Sequence, residues 1–429
     1  MTVVVGSPYF LLILFVLTIF YLVYDQELLI GIISQLPINL SVSLTESDSP
    51  SIQMTIVESK NHSVPVILYW NKYFVKEFQR FIPDSATAFD CPFKCLHTSN
   101  RSAEDVAELR VFHERHVNVE DLPSDSPRAY NLLFTLEPPY LTYSKYGDQK
   151  LPPDYFHHFA SYRTSTSIYY PYDQFVSLDE STTDDDQWTK AQIEEKLKLK
   201  KIPVLIAMSN CNSDAKRHVY VRELQKHIEI TRVGACDGTI HCTKDPPGHA
   251  LRKDMECMQH LNEAHYFYLA FENSVCPELL TEKFWRLRQL IVPIVLTRSV
   301  IPQHIPNDTF IAANDFESSF ALAAYLKWLI GNPKEYQKYF EWTKRFRRTP
   351  LTEAEINVGC QLCKLAYENR DQQPTAIPNY KEYWSAKDCA SDYAIKLIDN
   401  NSEALKTIDD RLSKELERSY RNRTFSRIV

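Results

Sequence analysis

Short apolar runs alternate with amphipathic stretches along most of the chain. Apolar runs of about four to eight residues between polar positions predict buried strands, and apolar residues repeated about every three to four positions predict helices. The predicted strands cover residues 64–70, 109–113, 130–136, 202–208, 228–233, 266–271 and 292–296. The predicted helices cover residues 215–227, 282–290 and 320–330. Either Ser213 or Asp214 is placed to cap the first helix. Short buried strands that alternate with helices predict parallel, doubly wound α/β sheets, and we expect two such halves around a cleft.

The N-terminal 24 residues contain no charged side chain. A helix over residues 3–24 would span roughly 33 Å, which is long enough to cross a bilayer. Its most apolar part, residues 9–17, could instead be the core of a cleaved signal peptide, but no basic stretch precedes it and no small-residue cleavage site lies before Asp25. We expect a retained transmembrane anchor over residues 1–24; a cleaved signal peptide and a buried soluble helix are the alternatives.

Changes in composition divide the rest of the chain. Residues 25–60 are rich in Ser, Thr, Asp and Glu and are interpreted as a stem. We expect the following parts to be a first α/β domain over residues 61–175, a linker over 176–200, a second α/β domain over 201–345 and a helical C-terminal segment over 346–429. A D-x-D motif at Asp184 to Asp186 could hold a divalent metal at the end of a strand. Its position in a polar stretch before a helix favours a solvated or capping role instead.

Composition narrows the possible functions. The net charge of −7 argues against nucleic-acid binding by the whole chain. Eight glycines occur in 429 residues and no glycine-rich phosphate-binding motif is present, so a bound phosphate must be held by other groups. Ten cysteines and a set of N-x-[ST] sequons accompany the apolar N-terminus, which together favour the secretory pathway. The sequons begin at Asn39, Asn61, Asn100, Asn307, Asn400 and Asn422.

A dense group of polar residues follows the predicted strand 266–271. Glu272 and Asn273 lie where the apolar run ends, and ligands of open α/β sheets bind beyond the carboxyl ends of the strands. Thr281 could cap the next helix and direct free backbone N–H groups toward the same crevice, where Lys283 adds a positive charge. This combination would suit a pyrophosphate; the alternative is a solvated helix start after a buried strand.

Three blocks of motifs carry a resemblance to a known family. In the first block, F-Y-L-A-F-E-N-S at residues 267–274 is followed by T-E-K-F-W-R and V-P-I-V-L. The second block covers residues 209–236 and contains Arg217, and the third covers residues 310–342. Together they resemble the α1,3-fucosyltransferase family (glycosyltransferase family 10), of which the chain looks like a divergent, invertebrate-like member. The match spans residues 65–390.

The resemblance implies a GT-B arrangement of two Rossmann-like domains that follow a single-pass type II anchor in the Golgi membrane. It implies inverting transfer of L-fucose from GDP-fucose, the donor substrate, to a GlcNAc-containing glycan of the N-glycan core or N-acetyllactosamine type. No cofactor is obligatory and no metal site is expected, while stimulation by Mn²⁺ stays open. The expected partners are a glycan or glycoprotein acceptor and the membrane, with no nucleic acid, and the oligomeric state stays open.

The resemblance also implies roles for individual residues. The donor would be held by Arg217, Lys283, Glu282, Asn273, Glu272 and Thr281 from the second domain and by Tyr162 and Arg163 from the first. Glu137 would be the general base that deprotonates the acceptor hydroxyl as its oxygen attacks the anomeric carbon. One base on the acceptor side and cations beside the leaving GDP are chemically sufficient for an inverting transfer. Without the resemblance, Glu137 would be interpreted as a surface carboxylate in a turn.

Cysteine pairing is implied by the same resemblance. Cys91 and Cys95 would pair with Cys360 and Cys363, which would join the end of the fold to its first domain. In an oxidising lumen, disulfides are a simpler account of the C-x-x-C motif at the second pair than half a zinc site or a thioredoxin-like motif. The partners of the remaining cysteines stay open: Cys211, Cys236, Cys242, Cys257, Cys276 and Cys389.

Four positions depart from the family pattern at donor contacts and the pocket wall. They are Ser165 and Ser167 in place of acidic residues, Tyr266 in place of Lys, and Leu279 in place of Tyr. An exposed histidine pair, His157 and His158, is expected just before this first departure, and it could face the acceptor. The alternative to an active enzyme is therefore a catalytically inactive lumenal glycan-binding or scaffold protein that retains the fold.

Overall fold

The computed structural model describes residues 40–43, 53–56, 64–72, 91–123, 129–141, 154–236, 238, 242, 250–352, 356–370, 372 and 375–398. Two compact units divide the chain, Met1–Val64 and Pro65–Val429. In the first unit, strands β1 (Leu40–Ser43) and β2 (Gln53–Ile56) pair in antiparallel register. The anchor expected over residues 1–24 lies outside the described residues. In the part that is described, no helix has the length and apolar character needed to cross a membrane.

The second unit begins with a parallel sheet of six described strands. These are β3 (Val66–Tyr69), β4 (Leu96–Thr98), β5 (Leu109–His113), β6 (Tyr130–Phe134), β7 (His158–Ser161) and β8 (Ile168–Tyr169). They pair in the order β4-β3-β5-β6-β7-β8. Every residue of β5 and β6 is buried, as expected for central strands of a parallel sheet whose two faces are both covered.

A second parallel sheet has five described strands. These are β9 (Ile202–Ala207), β10 (Ile230–Val233), β11 (His265–Leu269), β12 (Val292–Val295) and β13 (Ile311–Ala312). Their order is β10-β9-β11-β12-β13, which is the order of a doubly wound sheet. In such sheets the chain connections leave in opposite directions on either side of one strand pair, here β9 and β11, and a crevice opens beyond their carboxyl ends.

Helices surround the two sheets. The described α-helices are α1 (Lys190–Lys198), α2 (Arg217–Gln225), α3 (Ala250–Ala264), α4 (Ser319–Gly331), α5 (Pro333–Gln337), α6 (Val358–Asn369), α7 (Tyr380–Tyr383) and α8 (Tyr393–Lys396). The prediction of parallel α/β sheets is confirmed. Strand β5 has the predicted bounds, and most other strands are shorter than predicted by a few residues at their ends.

Two local predictions are wrong. Neither Ser213 nor Asp214 caps α2, because the N-cap is Lys216 in the left-handed region (φ 54°), and its backbone N–H donates to the Ser213 carbonyl at 3.0 Å. The predicted helix over residues 282–290 is a short 3₁₀ helix, Phe284–Gln289, which starts after Lys283. The expected α-helical N-terminus, with its free N–H groups and dipole, is therefore not formed at this position.

Disulfides join distant parts of the second unit. Cys91 is bonded to Cys360 and Cys95 to Cys363, so α6 is fixed to the loop before β4. Apolar residues of α6, among them Leu362 and Ala366, pack into the same core as residues of the first sheet. All ten cysteines lie within the described residues, and the other six form the bonds Cys211–Cys236, Cys242–Cys257 and Cys276–Cys389.

Candidate active site

Polar side chains collect at the carboxyl ends of β9 and β11, where the crevice of the second sheet opens. Arg217 is the first residue of α2, the helix that follows β9. Glu272 and Asn273 come a few residues after the end of β11. Because β9 and β11 are paired neighbours, side chains that the sequence separates by more than 50 residues lie at one edge of the sheet.

The Glu272 carboxylate is the centre of a buried network. Its Oε1 accepts hydrogen bonds from the Thr281 backbone N–H at 2.9 Å and from the Thr281 hydroxyl at 2.7 Å. Its Oε2 lies 3.0 Å from Lys283 Nζ, which also donates to Thr281 Oγ1 at 2.7 Å and to Glu282 Oε1 at 2.9 Å. The Thr281 backbone and hydroxyl thus bind a carboxylate, which explains why Thr281 does not cap a helix.

Lys283 keeps its positive charge in this network. Burial lowers the pKa of its ammonium group, but the carboxylates of Glu272 and Glu282 outweigh burial, and the pKa lies above its ordinary value. About 15% of the Lys283 side chain is exposed, so a ligand in the crevice can reach the ammonium group. A bound diphosphate would contact the Lys283 ammonium group, which also contacts Glu272, Thr281 and Glu282.

Arg217 supplies a second cation at the same edge. The residue is 2% exposed, and its Nη1 donates to the Phe271 carbonyl oxygen at 2.6 Å. Burial lowers the pKa of the guanidinium, with the Glu272 carboxylate acting in the opposite direction. Since arginine titrates far above neutral pH, the group stays charged.

Several buried polar atoms that lack hydrogen-bond partners belong to residues of β11 and of the segments that follow β9 and β11. Five of the atoms of this kind in the described residues are Arg217 Nε, Asn273 Oδ1, Ser274 Oγ, Ser213 Oγ and the Tyr268 hydroxyl; others are spread over both sheets. Each unsatisfied buried group costs about 1–3 kcal/mol, so such groups are expected where a ligand or water supplies the missing bonds. Their positions after β9 and on or after β11 make the crevice of the second sheet a candidate binding site.

Glu137 belongs to a different group, at the carboxyl edge of the first sheet. It follows β6 by three residues, and its backbone N–H donates to Thr135 Oγ1 at 3.1 Å. Its Oε1 lies 2.9 Å from Arg115 Nη2. About a quarter of the Glu137 side chain is exposed, so the carboxylate is oriented by an arginine and is still open to an incoming hydroxyl.

Glu114 is a site residue that the sequence analysis missed. It directly follows β5 and is 7% exposed, and its Oε2 has no hydrogen-bond partner among the described residues. Burial raises the pKa of the Glu114 carboxyl to about 7; Arg115 opposes this shift and Glu137 adds to it. One sequence signal did point to Glu114, because it directly follows an apolar run, as Glu272 does.

The Tyr162–Arg163 segment follows β7 and connects the two sheets. Tyr162 is buried, which raises its hydroxyl pKa, and the hydroxyl interacts with Arg163 and with the Glu272 charge. The Arg163 guanidinium lies 4.4 Å from the centre of the Trp384 ring, and its Nη1 lies 3.8 Å from Asp388. Arg163 therefore lies against the C-terminal part of the fold, and of the two residues Tyr162 is the one whose hydroxyl interacts with the Glu272 charge.

The positions that depart from the family pattern have ordinary packing or polar contacts. Leu279 is 2% exposed and belongs to the apolar cluster that contains Tyr162 and Trp384. The Tyr266 ring packs 5.1 Å from that of Tyr336. Ser167 Oγ lies 3.3 Å from His158 Nδ1.

The expectation of an exposed histidine pair is wrong. His157 and His158 are half-buried, because their ring nitrogens bind neighbouring elements. His157 Nδ1 accepts from the Asn131 backbone N–H at 2.9 Å, and His158 Nε2 lies 2.8 Å from Asn369 Nδ2. Burial lowers the pKa of His158 to about 4.

The D-x-D motif occupies a 3₁₀ turn, Asp184–Asp186, before α1. Asp184 and Asp185 are exposed, as the solvated alternative predicts, and Asp186 accepts hydrogen bonds from the hydroxyls of Thr183 and Thr349. The motif does not cap α1, whose N-cap is Thr189. In the part of the chain with described coordinates, no group of three or more His, Cys, Asp or Glu side chains is arranged to hold a metal ion. The structure thus defines an α/β protein with two cations, Arg217 and Lys283, beside Glu272 at its second sheet and two carboxyl groups, Glu114 and Glu137, at the edge of its first.

Comparison with known proteins identifies the family. Two family models match: "Fucosyltransferase, N-terminal" over residues 62–173 and "Glycosyltransferase family 10 (fucosyltransferase) C-term" over residues 197–383. The chain is 28% identical to alpha-(1,3)-fucosyltransferase fut-1 of Caenorhabditis elegans, over 81% of this chain and 76% of the relative. It is 30% identical to the human 4-galactosyl-N-acetylglucosaminide 3-alpha-L-fucosyltransferase FUT6, over 72% of this chain and 81% of the relative.

A solved structure of an alpha1,3-fucosyltransferase with GDP-fucose is 15% identical, with a TM-score of 0.45, and the match covers 75% of this chain and 96% of that chain. The chain belongs to glycosyltransferase family 10, the fucosyltransferases. The family recognised from the sequence motifs is therefore confirmed.

Proposed function

We propose that the chain is an α1,3-fucosyltransferase that transfers L-fucose from GDP-fucose to a hydroxyl of a GlcNAc-containing glycan. Family membership supports the reaction class, and both relatives described above are named as 3-fucosyltransferases. The observation that carries the proposal is the pairing of Arg217 and Lys283 around Glu272 at the crevice of the second sheet. In other nucleotide-binding folds, the backbone N–H groups of a glycine-rich loop bind the diphosphate. Here the two cations would take that role.

The transfer needs one base and a stabilised leaving group. Glu137 takes the proton of the acceptor hydroxyl while the hydroxyl oxygen attacks the anomeric carbon of fucose. The bond between that carbon and the GDP oxygen breaks on the opposite face, so the configuration inverts and GDP leaves as an anion. Lys283 and Arg217 stabilise the charge that develops on the diphosphate. Arg115 orients the Glu137 carboxylate before the acceptor arrives.

The remaining parts of the proposal concern architecture and location. The two parallel sheets are assigned to the two domains of a GT-B enzyme, with the acceptor beside the first sheet and the donor at the second. The charge-free N-terminus over residues 1–24 and the five disulfides support a type II membrane protein of the Golgi lumen, because disulfides persist in oxidising compartments. We also propose that no metal is required, since two protein cations serve the diphosphate.

Titration with GDP tests the donor site. The full chain is expected to bind GDP, and Lys283→Ala is expected to weaken the Kd by at least about tenfold, because hydrogen bonds to charged groups contribute about 1.5–3 kcal/mol. Lys226→Ala is the matched control, since Lys226 is an exposed lysine at the end of α2 that contacts Glu223. Equal affinities of the wild type and Lys283→Ala would remove Lys283 from the donor site, and no binding by the wild type would argue for the inactive scaffold.

A further inference from the structure

Glu278 joins the two halves of the proposed active site. Thr164, in the loop after β7, donates its backbone N–H to Glu278 Oε2 at 2.6 Å and its hydroxyl to Glu278 Oε1 at 2.9 Å. Both carboxylate oxygens are therefore used by one residue that lies 114 positions away in the sequence. Hydrogen bonds to an ionised acceptor are shorter and stronger than those between neutral groups.

The backbone of Glu278 is held in an uncommon conformation. Its φ is 62°, in the left-handed region that costs a residue other than glycine about 1–2 kcal/mol. Its N–H donates to the Val300 carbonyl at 2.8 Å, and its own carbonyl accepts from the Leu280 N–H at 3.0 Å. Strained residues of this kind persist where the surroundings hold them, and they cluster at functional sites. The conformation directs the Glu278 carboxylate toward the loop after β7.

The loop that Glu278 holds carries two donor-site residues. Thr164 follows Arg163 directly, and the hydroxyl of Tyr162 interacts with the charges of both Glu272 and Glu278. On the other side of the loop, the Tyr383 hydroxyl donates to the Ser165 carbonyl at 3.0 Å. The loop is therefore held from two sides. Glu278, in the connection between β11 and β12, contacts one side, and Tyr383 of α7 contacts the other.

We propose that Glu278 is a positioning residue of the donor site, which holds the Tyr162–Thr164 loop against the second sheet so that Arg163 faces the donor diphosphate. The proposal rests on the proposed fucosyltransferase function and adds a residue to it. Glu278 does not touch the reacting atoms. It acts through Thr164, and its contribution is the geometry of Arg163 relative to Lys283 and Arg217.

The test compares substitutions on both sides of the contact in the full chain. Glu278→Gln keeps the shape of the side chain but leaves an amide NH₂ facing a donor of Thr164. We expect it to raise the Kd of GDP and the KM of GDP-fucose about tenfold, which corresponds to about 1.4 kcal/mol, and to leave the KM of the acceptor glycan within about twofold. Thr164→Val removes the hydroxyl bond alone and is expected to give a smaller effect of the same kind.

Two further variants separate positioning from a structural role. Thr164→Ser retains both donors and is expected to restore the donor KM that Thr164→Val loses. The double variant Glu278→Gln with Thr164→Val is expected to weaken GDP binding by less than the product of the single effects, because both changes remove one contact. If the Glu278 variant does not fold, the Ser and Val variants at position 164 still carry the test.

The outcomes distinguish this proposal from the function on which it rests. If the wild type binds GDP and Glu278→Gln binds it equally tightly, the positioning role is wrong while the function stands. A fall in Tm with an unchanged GDP Kd would also overturn the role, because it would make Glu278 a purely structural contact. If the wild type shows neither GDP binding nor transfer, the proposed function itself fails.

Discussion

Replacing Glu114 with glutamine is expected to stabilise the protein at alkaline pH and to have little effect in acid. The folded-state pKa of about 7 lies above the ordinary value of 4.5, so the folded protein binds the proton more tightly than the unfolded chain. Below about pH 4.5 the carboxyl is protonated in both states and the buried group carries no penalty. As the pH rises through about 7, the folded protein must hold a buried charge, and the free energy of unfolding falls.

The size of the effect follows from the pKa difference. A difference of roughly 2.5, at about 1.4 kcal/mol for each pKa unit, gives an upper figure of about 3 kcal/mol between pH 4.5 and pH 8. For 429 residues the entropy of unfolding is about 0.9 kcal/mol/K near the midpoint. The Tm of Glu114→Gln should therefore exceed that of the wild type by up to about 3 °C at pH 8, with a much smaller difference at pH 5.

The assay is thermal unfolding of the full chain at both pH values. Glu120→Gln is the matched control, because Glu120 is an exposed carboxylate of the same region and should show no pH-dependent difference from the wild type. The groups that interact with Glu114 are Arg115, Glu137 and Tyr380. A Tm difference that is the same at pH 5 and pH 8, or a loss of stability in Glu114→Gln at pH 8, would refute the claim that Glu114 is buried in its protonated form.

Two further predictions concern contacts between parts of the chain that are distant in sequence. Asp173→Asn should lower the Tm by several degrees, because Asp173 and Arg288 form a buried pair (3% and 6% exposed) and breaking such a pair costs about 3–5 kcal/mol; unchanged thermal unfolding would refute this. Cys360→Ser alone should lower the Tm less than half as much as Cys360→Ser combined with Cys363→Ser, since the remaining disulfide still closes a loop of 268 residues. Calorimetry of both variants checks this, and equal losses would contradict it.

The fold could be predicted where an apolar run alone decides the structure. Residues 109–113 form a strand with the predicted bounds: Leu109, Val111 and Phe112 supply the apolar positions, and the polar Arg110 and His113 are buried with them. The helix expected over residues 282–290 could not be corrected from sequence. Its first turn depends on Thr281 binding Glu272, a contact between residues nine positions apart across the crevice. Such a contact competes with helix capping and leaves no local signal.

The candidate site was predicted in part for the same reason. Glu272 and Lys283 were identified because they follow an apolar run and carry charge, and the structure brings them within 3.0 Å. Glu114 has the same position after β5, but its importance depends on burial by other elements, which sequence patterns do not report. His157 and His158 were expected to be exposed because histidine is polar, whereas their rings bind Asn131 and Asn369, which lie far away in the sequence.

Fucose transfer by the full chain and by Glu137→Gln tests whether the protein is a fucosyltransferase with Glu137 as its general base. The proteins are given GDP-fucose and a panel of acceptors with N-glycan core GlcNAc or N-acetyllactosamine, and the Kd of GDP is measured in parallel. We expect transfer by the wild type and a fall in kcat of at least about 100-fold in Glu137→Gln, with GDP affinity unchanged, because only the general base is lost. No transfer to any acceptor by a folded wild type that binds GDP, or wild-type rates in Glu137→Gln, would contradict this expectation.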